Sequence, residues 1–151
     1  MVSKIIAGID ANIFISVINK ETEYADSKKI LDWIDDGTIT GIVSTIVIAE
    51  LRSGYDASAD TEGKDQFLAH VLGSSNYQIA DVTVQVALDA GDLRAGKRFK
   101  LPDALIIAST LRHGGEFLIS NDLTMGKKKL ALQTFSAKAF VDLLERKQLK
   151  K

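Results

Sequence analysis

The stretch Lys4-Ile5-Ile6-Ala7-Gly8-Ile9-Asp10-Ala11-Asn12-Ile13-Phe14 decides how the rest of the 151-residue chain is read. Residues 4–9 form a short, β-branched, apolar run, the pattern of a strand buried in a parallel sheet. The run stops at an aspartate. Beyond it, Ile13, Phe14 and Val17 recur at helical spacing, and the helix extends to Asn19. Strand therefore passes directly to helix at Asp10.

The same alternation repeats outward. A helix is expected over 23–36, with Ile30, Leu31 and Ile34 inward and Gly37 as its stop signal. A strand follows over 40–43. Ser44 then caps a helix carrying Ile46, Ala49 and Glu50. The segment 55–65 is polar and glycine-bearing, and its first half reads as a loop or lid. A helix around Phe67, Leu68, Val71 and Leu72 ends at Gly73, and a third strand covers 77–80. Val82, Val86, Ala90 and Leu93 keep helical period. Pro102, the only proline, opens another helix at its first position, and this runs to about His113. Gly114-Gly115 stops it before a fourth strand, 117–119. A short fifth strand, 131–135, leads to Ser136, which caps a last helix with Phe140, Val141 and Leu144 on one face. Strands alternating with helices predict an α/β fold: a mostly parallel sheet of about five strands with helices on both faces. The C-terminal ends of such strands share one edge, where ligands bind. Residues that end different strands are therefore expected to be neighbours.

Length and composition fit one domain over 1–151, with 46% hydrophobic and 26% charged residues. There is no cysteine, so disulfides and thiolate metal sites are excluded. The net charge of −1 argues against a protein that coats nucleic acid or binds membranes through bulk charge. Basic residues instead cluster locally at 97–100, 127–129 and 146–151. No apolar run reaches the roughly 18–20 residues that cross a bilayer. The first residues lead straight into a strand and not into a signal peptide, so a cytoplasmic location is expected.

Four acids fall on the expected ligand edge. Asp10 ends the first strand, where its local use is as an N-cap. Asp122 follows the fourth strand, where an Asx turn is a common use. Asp103 lies in the first turn of the proline-opened helix, where the macrodipole favours a carboxylate. Glu50 has the weakest local explanation. It sits among Ile48, Ala49 and Leu51, and an unpaired buried glutamate is expensive. Carboxylates gathered at one edge repel one another unless a cation neutralises them. An all-oxygen donor set without His or Cys points to a hard ion, Mg2+ or Mn2+.

Asp10-Ala11-Asn12-Ile13-Phe14-Ile15, Ser44-Thr45-Ile46-Val47-Ile48-Ala49-Glu50-Leu51, Leu101-Pro102-Asp103-Ala104-Leu105-Ile106-Ile107-Ala108 and Ile119-Ser120-Asn121-Asp122 resemble the four successive motifs of PIN-domain nucleases. The nearest subgroup is the VapC-type toxins of toxin–antitoxin pairs. The resemblance covers residues 4 to about 144 in motif order, spacing and length. It implies a PIN-like three-layer α/β/α sandwich and a metal-dependent endoribonuclease acting on RNA. Asp10, Glu50, Asp103 and Asp122 match the acidic quartet, with Asn12, Ser44 and Ser120 as supporting polar groups. It further implies a homodimer and a small antitoxin protein covering the acidic cleft. Two positions depart from the pattern: Ala11 stands where a hydroxyl residue is frequent, and Leu123-Thr124-Met125-Gly126 replaces a charged–aromatic segment.

Hydrolysis would proceed at a metal-activated water, which suits a sequence lacking Ser–His or Cys–His pairs. Arg52, Arg98 and Lys127 lie close in sequence to the motifs and are the expected phosphate contacts. A haloacid-dehalogenase-like phosphatase would use Asp10 as a covalent nucleophile, but Asn12 stands where its second aspartate is usual. A third reading is a non-catalytic PIN-like RNA-binding module, which loss of an acid would signal; all four are present. The Asp35-Asp36 pair is assigned to solvated surface, His70 and His113 have no ligand spacing and are not expected to be catalytic, and Trp33 is assigned to the core or an interface and not to base stacking. Asp89 and Asp92 are minor candidates for lining the site.

Overall fold

The structure, a computed structural model, describes residues 4–53, 61–97, 99–122, 124–125 and 132–149. In chain order the elements are β1 (Ile5–Ile9), α1 (Ala11–Ile18), α2 (Tyr24–Asp35), β2 (Ile39–Ser44), α3 (Thr45–Ser53), α4 (Thr61–Gly73), β3 (Tyr77–Ala80), α5 (Val84–Lys97), α6 (Leu101–Arg112), β4 (Phe117–Ile119), β5 (Gln133–Phe135) and α7 (Ala137–Leu149). The strands form one sheet in the order β3-β2-β1-β4-β5. Every pairing is parallel, with Gly8 opposite both Ile42 and Leu118. The expected mostly parallel sheet is thus entirely parallel.

Strand order reverses between β1 and β4. From β1 the chain steps outward to β2 and β3, then returns through α5 and α6 to β4 on the other flank. Two strands whose connections leave in opposite directions open a crevice at their C-terminal ends. That crevice lies between Asp10, which follows β1, and Ser120, which follows β4.

Alternating strand residues face two helical layers. A Cβ on Gly41 would meet Ile34 of α2, so that face is covered by α2. A Cβ on Gly8 would lie 2.0 Å from Thr110 Oγ1 of α6, so the other face is pressed directly against α6. Residues 104–110 of α6 are all buried, as expected of a helix enclosed between the sheet and a second helix, α5. Thr110 meets its own buried hydroxyl's need by donating to Ile106 O at 2.8 Å. On the opposite layer, Phe117, Phe135 and Phe140 form a triangle of edge-on rings with centroids 5.6–5.7 Å apart, fixing α7 against β4 and β5.

Several boundaries differ from the sequence expectation for identifiable reasons. Val82 is 40% exposed and precedes α5. Its N–H donates to Thr45 Oγ1, and Thr83 accepts from Val86 N to start the helix later. Leu72 is 54% exposed, because α4 turns Leu68 and Val71 inward instead. Pro102 is the second helical residue and not the first. β2 extends from Ile39 to Ser44, one residue beyond the expected strand at each end. The first half of the 55–65 segment and Ala131 lie outside the described residues. Among the described residues, no helix is long and apolar enough to cross a membrane.

Candidate active site

Asp10 is where β1 hands over to α1. Its backbone is extended (φ −76°, ψ 155°), and its N–H donates to Ile119 O at 3.0 Å, tying the end of β1 to the end of β4. The side chain is a cap in form: Oδ1 accepts from Ala11 N at 2.7 Å. Oδ2 is held by longer-range groups, accepting from Ser120 Oγ at 2.7 Å and from Asn12 Nδ2 at 3.3 Å. Asp10 is only 6% exposed. Burial pushes its carboxyl above the ordinary range; the bonds from Ser120 and Ala11 oppose this, and the charge of Asp122 adds to it.

Asn12 and Ser120 form the clamp around that carboxylate. Asn12 Nδ2 also donates to Ser120 Oγ at 3.1 Å, and Asn12 Oδ1 accepts from Asn121 N at 3.0 Å. A backbone N–H can only donate, so it fixes which end of the Asn12 amide faces it. The NH2 end is thereby turned onto Asp10. Ser120 Oγ also accepts from Asp122 N at 3.1 Å. Asp122 Oδ1 accepts from Thr124 N at 3.0 Å and Thr124 Oγ1 at 2.7 Å, an Asx turn that fixes the carboxylate just past β4.

Glu50 approaches from α3, whose start is set by Ser44: its Oγ accepts from Ile46 N at 3.2 Å and from Ser109 Oγ at 3.3 Å. Glu50 is half-buried, and its Oε1 is a buried oxygen with no hydrogen-bond partner among the described residues. Burial raises its carboxyl, and the charges of Asp10 and Asp103 raise it further. Asp103 reaches this field from the first turn of α6. The structure therefore links Asp10 with Asp122 and Glu50, and Glu50 with Asp103, through their mutual fields.

No group of three or more His, Cys, Asp or Glu among the described residues is arranged to hold a metal ion. The chemistry of the donors nevertheless suits a hard cation. All are oxygens, one is an orphaned buried carboxylate atom, and two of the acids are raised by burial and further by negative neighbours that a cation would neutralise.

The outlying candidates sort differently. Arg52 pairs with Asp65 at 2.8 Å in the open. Arg98 and Lys127 lie outside the described residues. Asp89 is bound to Arg112 at 2.6 Å, which holds its carboxyl low and turns it to α6's far end, away from the acids; this corrects its candidacy. His70 bonds Asp35 across α4 and α2 at 2.9 Å, and His113 bonds Ser109 O at 3.0 Å. Asn121 was missing from the supporting set, because its partners are distant in sequence. Its position inside the fourth motif was the only signal.

A sequence model described as the PIN domain matches residues 8–129. No curated protein matches the chain in sequence. Solved structures with a similar fold include VapBC2 from Rickettsia felis bound to a DNA fragment from its promoter. It is 23% identical with a TM-score of 0.67, over 87% of this chain and 98% of that one. DNA-bound VapBC from Salmonella typhimurium is 17% identical, with a TM-score of 0.67 over 88% and 98%. VapBC-1 from nontypeable Haemophilus influenzae is 19% identical, with a TM-score of 0.63 over 89% and 99%.

Proposed function

Because this chain belongs to the PIN domain family, we propose that it is a divalent-metal-dependent endoribonuclease, the toxin of a VapBC-type toxin–antitoxin pair. PIN domains are generally nucleases and generally use divalent metal ions. The observation that carries the metal-dependent reading is Glu50 Oε1, a buried carboxylate oxygen without a hydrogen-bond partner among the described residues and set in the fields of Asp10 and Asp103. Leaving such an atom unsatisfied costs stability, and a fold retains that cost where a ligand meets it.

Asp10, Glu50, Asp103 and Asp122 would hold the ion. Bound there, Mg2+ or Mn2+ supplies Lewis-acid polarisation of the phosphoryl group and acidifies the attacking water. The chain's own contribution is positioning and charge. Ser120 and Asn12 place hydrogens on Asp10 Oδ2, and the Ser120 bond opposes the rise that burial imposes on that carboxyl. The Thr124 bonds fix the Asp122 carboxylate in the turn after β4. Glu50, whose carboxyl is raised by burial and by its acidic neighbours, would bind the ion as the carboxylate. Arg52 is exposed and able to exchange Asp65 for a substrate phosphate, with Arg98 and Lys127 as further phosphate contacts.

The Asp10-nucleophile reading has less support. Both Asp10 oxygens accept hydrogen bonds, and the residue is almost closed to solvent. By likeness to the VapBC complexes, a small antitoxin is the proposed protein partner; a second copy of the chain and a cytoplasmic location are proposed on the family resemblance alone. Incubating the purified protein with single-stranded RNA tests the reading. Cleavage that is lost on chelation and restored by Mg2+ or Mn2+ supports it; chelator-resistant cleavage contradicts it.

A further inference from the structure

We propose that Asn121 is a positioning residue, locking the turn after β4 so that Asp122 and the Asp10 clamp keep their relative placement. This inference rests on the metal-binding reading of the four acids. The Asn121 side chain reaches out of the turn in two directions. Its Nδ2 donates to Ser27 Oγ on α2 at 3.2 Å, and its Oδ1 accepts from Ala137 N, the first residue of α7, at 3.1 Å. Its backbone N–H donates to Asn12 Oδ1. One residue thus joins α1, α2 and α7 to the end of β4.

Each bond answers a separate physical need. Ser27 is fully buried, and a buried hydroxyl requires a partner. The first N–H groups of α7 have no acceptor inside their own helix, and Asn121 supplies one. Both partners belong to elements packed elsewhere: α2 lies against β2 and α7, and α7 against β5. The amide of Asn121 is therefore held from two sides, by α2 and by α7, which leaves its own backbone little freedom. That backbone lies between Ser120, which bonds Asp10, and Asp122. Rotation of the 121 peptide would move the Asp122 carboxylate and release the N–H that orients Asn12.

The test is Mn2+ binding by calorimetry, with thermal unfolding measured in parallel. Asn121→Leu keeps the approximate volume and removes both side-chain bonds. It is expected to weaken Mn2+ binding by about tenfold, in line with loss of groups that orient metal ligands. Asn121→Asp can still accept from Ala137 N and from the Ser27 hydroxyl, and is expected to bind at least as well as the wild type. In a folded Asn121→Leu protein, unchanged binding overturns the proposal, as does Asn121→Asp binding as weakly as Asn121→Leu. If Asn121→Leu does not fold, Ser27→Ala decides: weakened Mn2+ binding supports the proposal and unchanged binding overturns it. A wild-type protein that takes up no Mn2+ removes the metal reading itself and this inference with it. Wild-type binding with unaffected variants removes this inference alone.

Discussion

Ser120 Oγ donates to Asp10 Oδ2 at 2.7 Å, bridging the C-terminal ends of β1 and β4 at the point where strand order reverses. This contact holds down the pKa of a carboxyl that burial raises. Ser120→Ala removes it, so the Asp10 pKa rises further. Metal binding needs the ionised carboxylate. The acid limb of the pH–kcat/KM profile is therefore expected to move to higher pH, as loss of a hydrogen bond to a charged group predicts. An unmoved limb in Ser120→Ala would show that Asp10 does not control it.

Asp10 and Glu50 have folded-state pKa values above their ordinary ones. Between the unfolded and folded values the native state binds more protons, so stability falls as pH rises through that window. Below the ordinary carboxyl range the penalty vanishes, and above the raised values it is complete. Glu50→Gln removes its share, and the metal-free variant is expected to melt higher than wild type at neutral pH, by about 2–4 °C. At pH 3–4 that difference should shrink. Differential scanning calorimetry at the two pH values checks the sign.

Cation binding reverses this order. Mg2+ in excess stabilises the wild type through mass action, by about 2.7 kcal/mol at a hundred times Kd. The melting temperature of the wild type should rise with Mg2+, whereas that of Glu50→Gln should respond much less. Equal responses would place the ion elsewhere.

Gly8 sits against Thr110 so closely that a Cβ would lie 2.0 Å from Oγ1 and 2.9 Å from the Thr110 Cβ. Gly8→Ala forces α6 away from the sheet. It is expected to cost about 1–3 kcal/mol, as overpacking of a close-packed interior does. A lowered urea midpoint with an unchanged m-value is the expected result. Asp103 rides on the same helix, so cleavage should fall more than stability alone explains.

Much of this was legible in the sequence. The span of β4 was readable because a short apolar run is bounded by polar residues, that of β3 because Tyr77 and Ile79 alternate with Gln78, and the acids stood out because strand ends share an edge. Val82 misled because an apolar residue in helical register with Val86 looks helical until Thr83 caps the helix behind it. Leu72 misled because the period allows two inward faces and only packing chooses between them. The Ser120–Asp10 and Asn121–Ser27 bonds span 110 and 94 residues, distances at which local pattern carries no information.

The central claim is that the four acids act together through a divalent cation on RNA, and Asp103→Asn tests it most directly. The substitution keeps size and helix position and removes one charge. With the variant's circular dichroism matching the wild type, Mg2+-dependent cleavage of single-stranded RNA is predicted to fall to the level seen with chelator. Cleavage by folded Asp103→Asn at the wild-type rate would contradict the account.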